Sequence, residues 1–246
     1  MAVLPQEMVT QIGRAYLQGQ DWLRSQGKED AESIEVALAV ESSRWFWRPS
    51  QTKTLILLPA RELTLQEELS HVVKVGWLKD GENTPPNSFT RSFYSIGHGE
   101  PEIVPTLPKE QNKDSNREWH VMAELVGLDD LTPKRTLVER LEWKARILKG
   151  IKNRGIWVAE ASLHGDHDES DLYGIAWRSH WQSLWEELDK PEIIAYGKGL
   201  YESLERQGIP VSTFLYEPQT LRQDSQKQHQ SEILHRIFKL TTATGP

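Results

Sequence analysis

The sequence predicts an α/β protein of three layers, with helices on both faces of a central four-stranded parallel sheet and further helices at the N-terminus. Three observations predict it. Four short apolar runs, KTLILL (53–58), GIWVAEAS (155–162), EIIAY (192–196) and VSTFLY (211–216), read as buried strands bounded by Pro, Gly or charged residues. Segments with apolar residues at helical spacing separate them. Strand and helix therefore alternate, the pattern of crossover units that yields a parallel sheet.

Taken in order, residues 5–26 form an amphipathic helix with Met8, Ile12, Ala15 and Tyr16 on one face, ended by Gly27. Asp30 is expected to N-cap a second helix reaching about Arg44. After Pro49 comes the first strand, then a helix from Thr64 with Glu67 or Glu68 placed for a capping box. Residues 79–117 form a loop-rich insertion containing Pro85, Pro86, Pro101, Pro105 and Pro108. Inside it Phe89, Phe93 and Ile96 have helical spacing. Residues 119–128 read as a short helix. Leu137, Leu141, Ala145 and Leu148 make the stripe of the next one, starting near Pro133. Trp177, Trp181, Leu184, Trp185 and Leu188 align on a helix over 173–188. Gly197 to Gly199 turns the third strand into a helix over 200–206, and residues 223–240 form the last helix. A single domain over 1–246 is expected, with N-terminal helices over 1–49 and the α/β core over 50–240.

Composition narrows the function classes. The chain has no cysteine, which excludes disulfides, thiolate metal sites and cysteine nucleophiles. Its net charge of -7 argues against bulk binding to nucleic acid, though an acidic protein can carry a local basic face. No apolar run approaches the roughly 20 residues of a membrane span, and the N-terminal residues lack the pattern of a signal peptide. A cytoplasmic monomer is the expectation. Ten tryptophans serve the core, with base stacking as a second use.

In a parallel sheet the ligand sits beyond the carboxyl ends of the strands. That rule selects the loops 59–63, 162–172, 197–199 and 217–222. The second, LHGDHDESD (163–171), has His164 and His167 among four acids, yet it fits neither HExxH nor an EF-hand. It is expected to be a solvated loop, and no metal is assigned. No GxSxG elbow is present. His98 and Glu100 in IGHGE have the composition of an acid–base pair or of an ordinary polar turn.

Three stretches in this order resemble the uracil-DNA glycosylase superfamily, nearest its thymine- and mismatch-specific branch. PPNSFTRSFYSIG (85–97) is similar to a Pro-Gly-Asn-x-Phe-Trp segment through Pro85, Asn87 and Phe89, with Gly97 closing a helix. PEIIAYGKGLYESL (191–204) is similar to an apolar strand followed by Gly-Lys and a helix. YEPQTLRQ (216–223) stands where the family has its intercalating loop. The resemblance implies hydrolysis of the bond between a flipped base and its deoxyribose, on DNA, without metal or organic cofactor.

Departures from the pattern bear on the residue roles. Leu58, Pro59 and Ala60 stand where the branch has Asn-Pro-Gly, so the water-holding amide is replaced by a side chain without polar atoms. Glu62 is the nearest carboxylate, the expected general base or, equally, an acid in the first turn of a helix. The histidine that some branches use to stabilise the departing base is absent. The base-reading Asn corresponds to Glu160, which as a carboxylate only accepts hydrogen bonds and so favours an amino-bearing base such as a modified cytosine. A modified-base pocket would suit excision repair or defence against phage DNA. A salt bridge at a sheet edge is the alternative use of Glu160. Asn87 and Phe89 are expected to shape the pocket wall, and Gly197 and Lys198 to support the loop near the phosphates. Pro218, Thr220 and Arg222 are expected at the DNA gap. The rival is a glycosylase-like fold without catalysis that binds a nucleotide, nucleic acid or protein.

Overall fold

The computed structural model describes residues 4–73, 85–100, 102–103, 117–128, 136–217 and 220–242. Most of the insertion over 79–117, and Pro218, lie outside the described residues. The order is α1 (Gln6–Ser25), α2 (Ile34–Phe46), β1 (Thr54–Leu58), a 3-10 turn (Gln66–Ser70), α3 (Arg117–Val126), α4 (Leu137–Asn153), β2 (Ile156–Glu160), α5 (Ser170–Ala176), α6 (Gln182–Glu187), β3 (Glu192–Tyr196), α7 (Lys198–Arg206), β4 (Val211–Leu215) and α8 (Asp224–Thr242).

The four strands are all parallel, in the order β2-β1-β3-β4. Every residue of β1 and β2 is buried, as their mostly apolar runs imply. Helix α4 packs on β2 and α3, and α3 touches α8; α7 packs on β3, β4 and α5, and α1 lies over α5. These are the two outer layers. Connections leave the adjacent strands β1 and β3 toward opposite edges of the sheet, and at such a switch point the carboxyl ends open a crevice.

Several local expectations need correction. Asp30 does not cap α2; Ser33 occupies the N-cap position. Asp30 instead accepts from the Tyr16 hydroxyl (2.9 Å) and the Glu32 N–H (3.1 Å) and meets His164 Nδ1. The segment after Thr64 is a single 3-10 turn whose Glu68 accepts the Leu65 N–H at 2.9 Å. Phe89, Phe93 and Ile96 are buried as their spacing implied, but on successive turns rather than a helix. There the backbone is held by side chains instead of a helical ladder: Thr64 Oγ1 accepts the Arg91 N–H (2.8 Å), and the Tyr94 hydroxyl bonds both the N–H and the C=O of Val158 (3.0 and 2.9 Å). Tyr94 thereby covers the open edge of β2, where an unpaired strand would invite association. The helix expected over 173–188 is interrupted by a π-helical segment, Trp177–Trp181, which turns the buried His180 toward Glu41.

The loop LHGDHDESD is buried and fastened down at Leu163 to Gly165, while Asp166, Asp168 and Asp171 are exposed as expected. His164 is buried, stacked on Tyr16 at 4.6 Å between ring centroids and paired with Asp30. The Gly165 N–H donates to Glu32 (3.1 Å), whose carboxylate also binds the Arg61 guanidinium. Asp168 accepts from the Ala60 N–H (3.1 Å) and the Tyr173 hydroxyl, and Glu169 pairs with Lys28. The physical reason is pairing of enclosed groups: the segment between α1 and α2 buries the carboxylates Asp30 and Glu32, which His164 and the Gly165 N–H meet, and Leu163 O accepts from the buried Arg61 at 3.2 Å.

Candidate functional site

The switch point holds a cavity of ≈ 230 Å³ lined from the ends of all four strands. Leu58 ends β1 and Pro59 to Glu62 follow it, Glu160 ends β2, Tyr196 ends β3 and Glu217 follows β4; Arg91, Phe93 and His98 come from the segment 85–100, and Glu118 and Trp119 from the start of α3. Phe93 and Trp119 form one aromatic wall, stacked with centroids 4.5 Å apart at 25°. Such a cavity suits one flat ring rather than a drug-sized ligand, whose pockets run to roughly 300–1,000 Å³.

The two carboxylates expected to act together do face this cavity, in different settings. Glu160 is 2% exposed. Its Oε2 accepts from Arg44 Nη2 at 2.6 Å and its Oε1 from the Phe93 N–H at 3.2 Å. Arg44 is itself buried, bonded to Glu41 and lying 4.6 Å from the centre of the Trp181 ring. Burial raises the Glu41 carboxyl, but Arg44 and then His180 more than reverse this and hold it below the usual carboxylate range. Glu160 thus belongs to a buried Glu41–Arg44–Glu160 chain at the edge strand β2 while still lining the cavity.

Glu62 sits at the rim, its side chain 40% exposed. Its Oε2 is 3.5 Å from His98 Nε2 and 3.5 Å from Arg91 Nη1. The His98 contact holds the Glu62 carboxyl below its usual range, against the opposing effect of partial burial and with help from Arg91. His98 does not pair with Glu100 as its neighbour in sequence. Glu100 is buried and binds Lys144 (2.7 Å) and Arg140 (2.7 Å). Both guanidiniums near the cavity are committed elsewhere as well: Arg61 to Glu32, and Arg91 to Glu68 at 2.9 and 3.2 Å.

The other expected site residues among the described ones lie outside the cavity lining. Asn87 lines a separate small hollow with Trp47, Val73 and Tyr94. Phe89 is buried behind His98, edge-on to its ring at 6.4 Å. The wall position falls to Phe93, four residues later. Gly197 has a φ of 100°, and its N–H is spent on Leu215 O (2.8 Å), so that amide is not offered to a phosphate. Lys198 is exposed, 3.5 Å from Glu202. Thr220 closes a turn onto Glu217 O, and Arg222 is exposed. Arg91, Trp119, Tyr196 and Arg44 were not singled out from sequence. His98 was, in IGHGE, as half of an acid–base pair with Glu100 or as part of a polar turn, and the carboxylate it meets is Glu62.

Among the described residues no group of three or more His, Cys, Asp or Glu is arranged to hold a metal ion, and no helix is long and apolar enough to cross a membrane. Comparison with protein-family models, with curated proteins and with solved structures finds no match to this chain.

Proposed function

We propose that the protein is a monofunctional N-glycosyl hydrolase of the uracil-DNA glycosylase kind, acting on an amino-bearing base flipped out of DNA. One observation carries this reading: Glu62 and Glu160, 98 positions apart in sequence, face a single cavity beyond the carboxyl ends of the strands. In this reading Glu62 orients the attacking water and takes its proton as the water oxygen bonds to C1′. The C1′–N bond breaks, and its electron pair leaves with the base. Glu62's carboxyl, held below its usual range, is ionised at neutral pH and so can accept a hydrogen bond from the water. Glu160 reads the base. Its oxygens already accept from Arg44 and Phe93, and a carboxylate has about four acceptor sites, so capacity remains for an exocyclic amino group. The Phe93–Trp119 wall offers a face to the ring. Flipping costs a few kcal/mol, least at damaged or mispaired sites.

The test is base release from a panel of duplexes and single strands carrying cytosine, modified cytosines, uracil and thymine. Release of an amino-bearing base, reduced roughly 100-fold or more by Glu62→Gln, is expected. With Glu160→Gln, whose amide both donates and accepts, preference is expected to move toward uracil and thymine. Wild-type preference for uracil or thymine would refute the assignment of Glu160. The second reading, a binding module without catalysis, draws on Leu58, which puts no polar atom at the end of β1. Base binding with no release from any substrate would favour it.

A further inference from the structure

Glu62 stands on the loop after β1, yet the side chains within 3.5 Å of its carboxylate both come from the segment 85–100. One of them, Arg91, is fixed by two bonds to Glu68. The other, His98, stands on a turn that the fold secures with unusual expense of buried charge. Lys144 of α4 is 0% exposed, and its ammonium finds three acceptors: His98 O (2.7 Å), Glu100 Oε1 (2.7 Å) and Ile96 O (3.3 Å). An ammonium has three donors, so all are used. Burial pushes the Lys144 amine below its ordinary range, opposed by the Glu100 charge. The second Glu100 oxygen is taken by Arg140 (2.7 Å), the His98 N–H donates to Ser95 O (2.8 Å), and Phe89 closes the back of the imidazole. A buried ion pair contributes little net stability compared with apolar packing, but it fixes geometry. Here it fixes the turn that bears the imidazole lining the cavity.

We propose that His98 is a positioning residue for Glu62: held in place by the Lys144–Glu100–Arg140 clamp, it keeps the Glu62 carboxylate turned toward the water site in the cavity. The catalytic part rests on the hydrolase reading above; the contact itself does not. The other charged groups facing Glu62 across the cavity are Arg61 on its own loop, Glu118 on α3, Glu160 on β2 and Glu217 after β4. Contacts of 3.5 Å are long for a hydrogen bond, as catalytic contacts often are before substrate closes them.

Two variants test this: His98→Phe, which keeps a ring against Phe89 but removes the donor, and His98→Gln, which restores a donor. The first measurement needs no substrate. The Glu62 carboxyl carbon is titrated by NMR in wild-type protein and both variants, with amide spectra confirming the fold. The Glu62 midpoint is expected to rise in His98→Phe and to rise less in His98→Gln. The second measurement is base release against pH. His98→Phe is expected to lower kcat about tenfold with little change in KM, to shift the acid limb upward with the midpoint, and to be partly rescued by His98→Gln. An unchanged Glu62 midpoint in a folded His98→Phe protein overturns the proposal. A midpoint that moves, in a protein releasing no base from any strand, sustains the contact and refutes the hydrolase reading instead.

Discussion

Glu62 and Glu160 line the same cavity and carry the same chemical group, but the fold treats them in opposite ways. Glu160 is buried at the end of an edge strand and bonded at 2.6 Å to a guanidinium that is itself enclosed. Glu62 is at the rim, with two partners at 3.5 Å. A buried carboxylate must be paired or it costs several kcal/mol, so its orientation is over-determined. A rim carboxylate keeps its hydration and can turn. The difference teaches how one cavity can hold a carboxylate locked by an enclosed cation beside another that still reaches water.

The largest effect is expected on the buried side. Arg44→Met leaves Glu41 and Glu160 enclosed without their cation, and breaking a buried pair this way costs about 3–5 kcal/mol. Urea unfolding would measure it. A loss near zero would mean that the two carboxylates find other donors, and the contrast with Glu62 would collapse.

The next effect is on pH dependence. Glu41's folded pKa lies below its unfolded value, so the group contributes stability that is complete above the unfolded carboxyl pKa of about 4.3 and is lost as pH falls through the lower folded value. Glu41→Gln is expected to lower stability at neutral pH and to flatten the acid limb of the stability profile. Urea midpoints from neutral pH down to about pH 3 would show it. Parallel acid limbs in the two proteins would assign the acid sensitivity to other carboxylates.

The smallest effect on stability is expected at the rim. Glu62→Gln should change unfolding free energy by no more than about 0.5 kcal/mol, because exposed pairs are screened and weak. The same variant is expected to lose base release, so stability and activity separate at Glu62. A Glu62→Gln protein as unstable as Arg44→Met would show that the rim carboxylate is structural after all.

Much of the fold was legible because periodicity survives without tertiary information. The four apolar runs, the stripe on α4 and the face of α1 each correspond to elements within a few residues of their expected ends. The segment 85–100 was not legible. Phe89, Phe93 and Ile96 mimic a helical stripe, yet bonds from Thr64 and Tyr94, on or to distant parts of the chain, hold non-helical turns. The loop after β2 was legible only in part: its acids Asp166, Asp168 and Asp171 are exposed as expected, but the partners that hold its start and flanks, Asp30, Glu32, Arg61 and Lys28, lie more than 100 residues away.

The sequence by itself determined the α/β class and the end of the sheet where the cavity opens. Those follow from local pattern and from the geometry of parallel sheets. Only the tertiary structure decided the partners: Arg44 for Glu160, His98 for Glu62, Lys144 for Glu100, and Phe93 with Trp119 in place of Asn87 and Phe89 as the wall. Pairing among buried groups is set by which donors and acceptors are enclosed together once the layers close, and spacing along the chain carries no record of that.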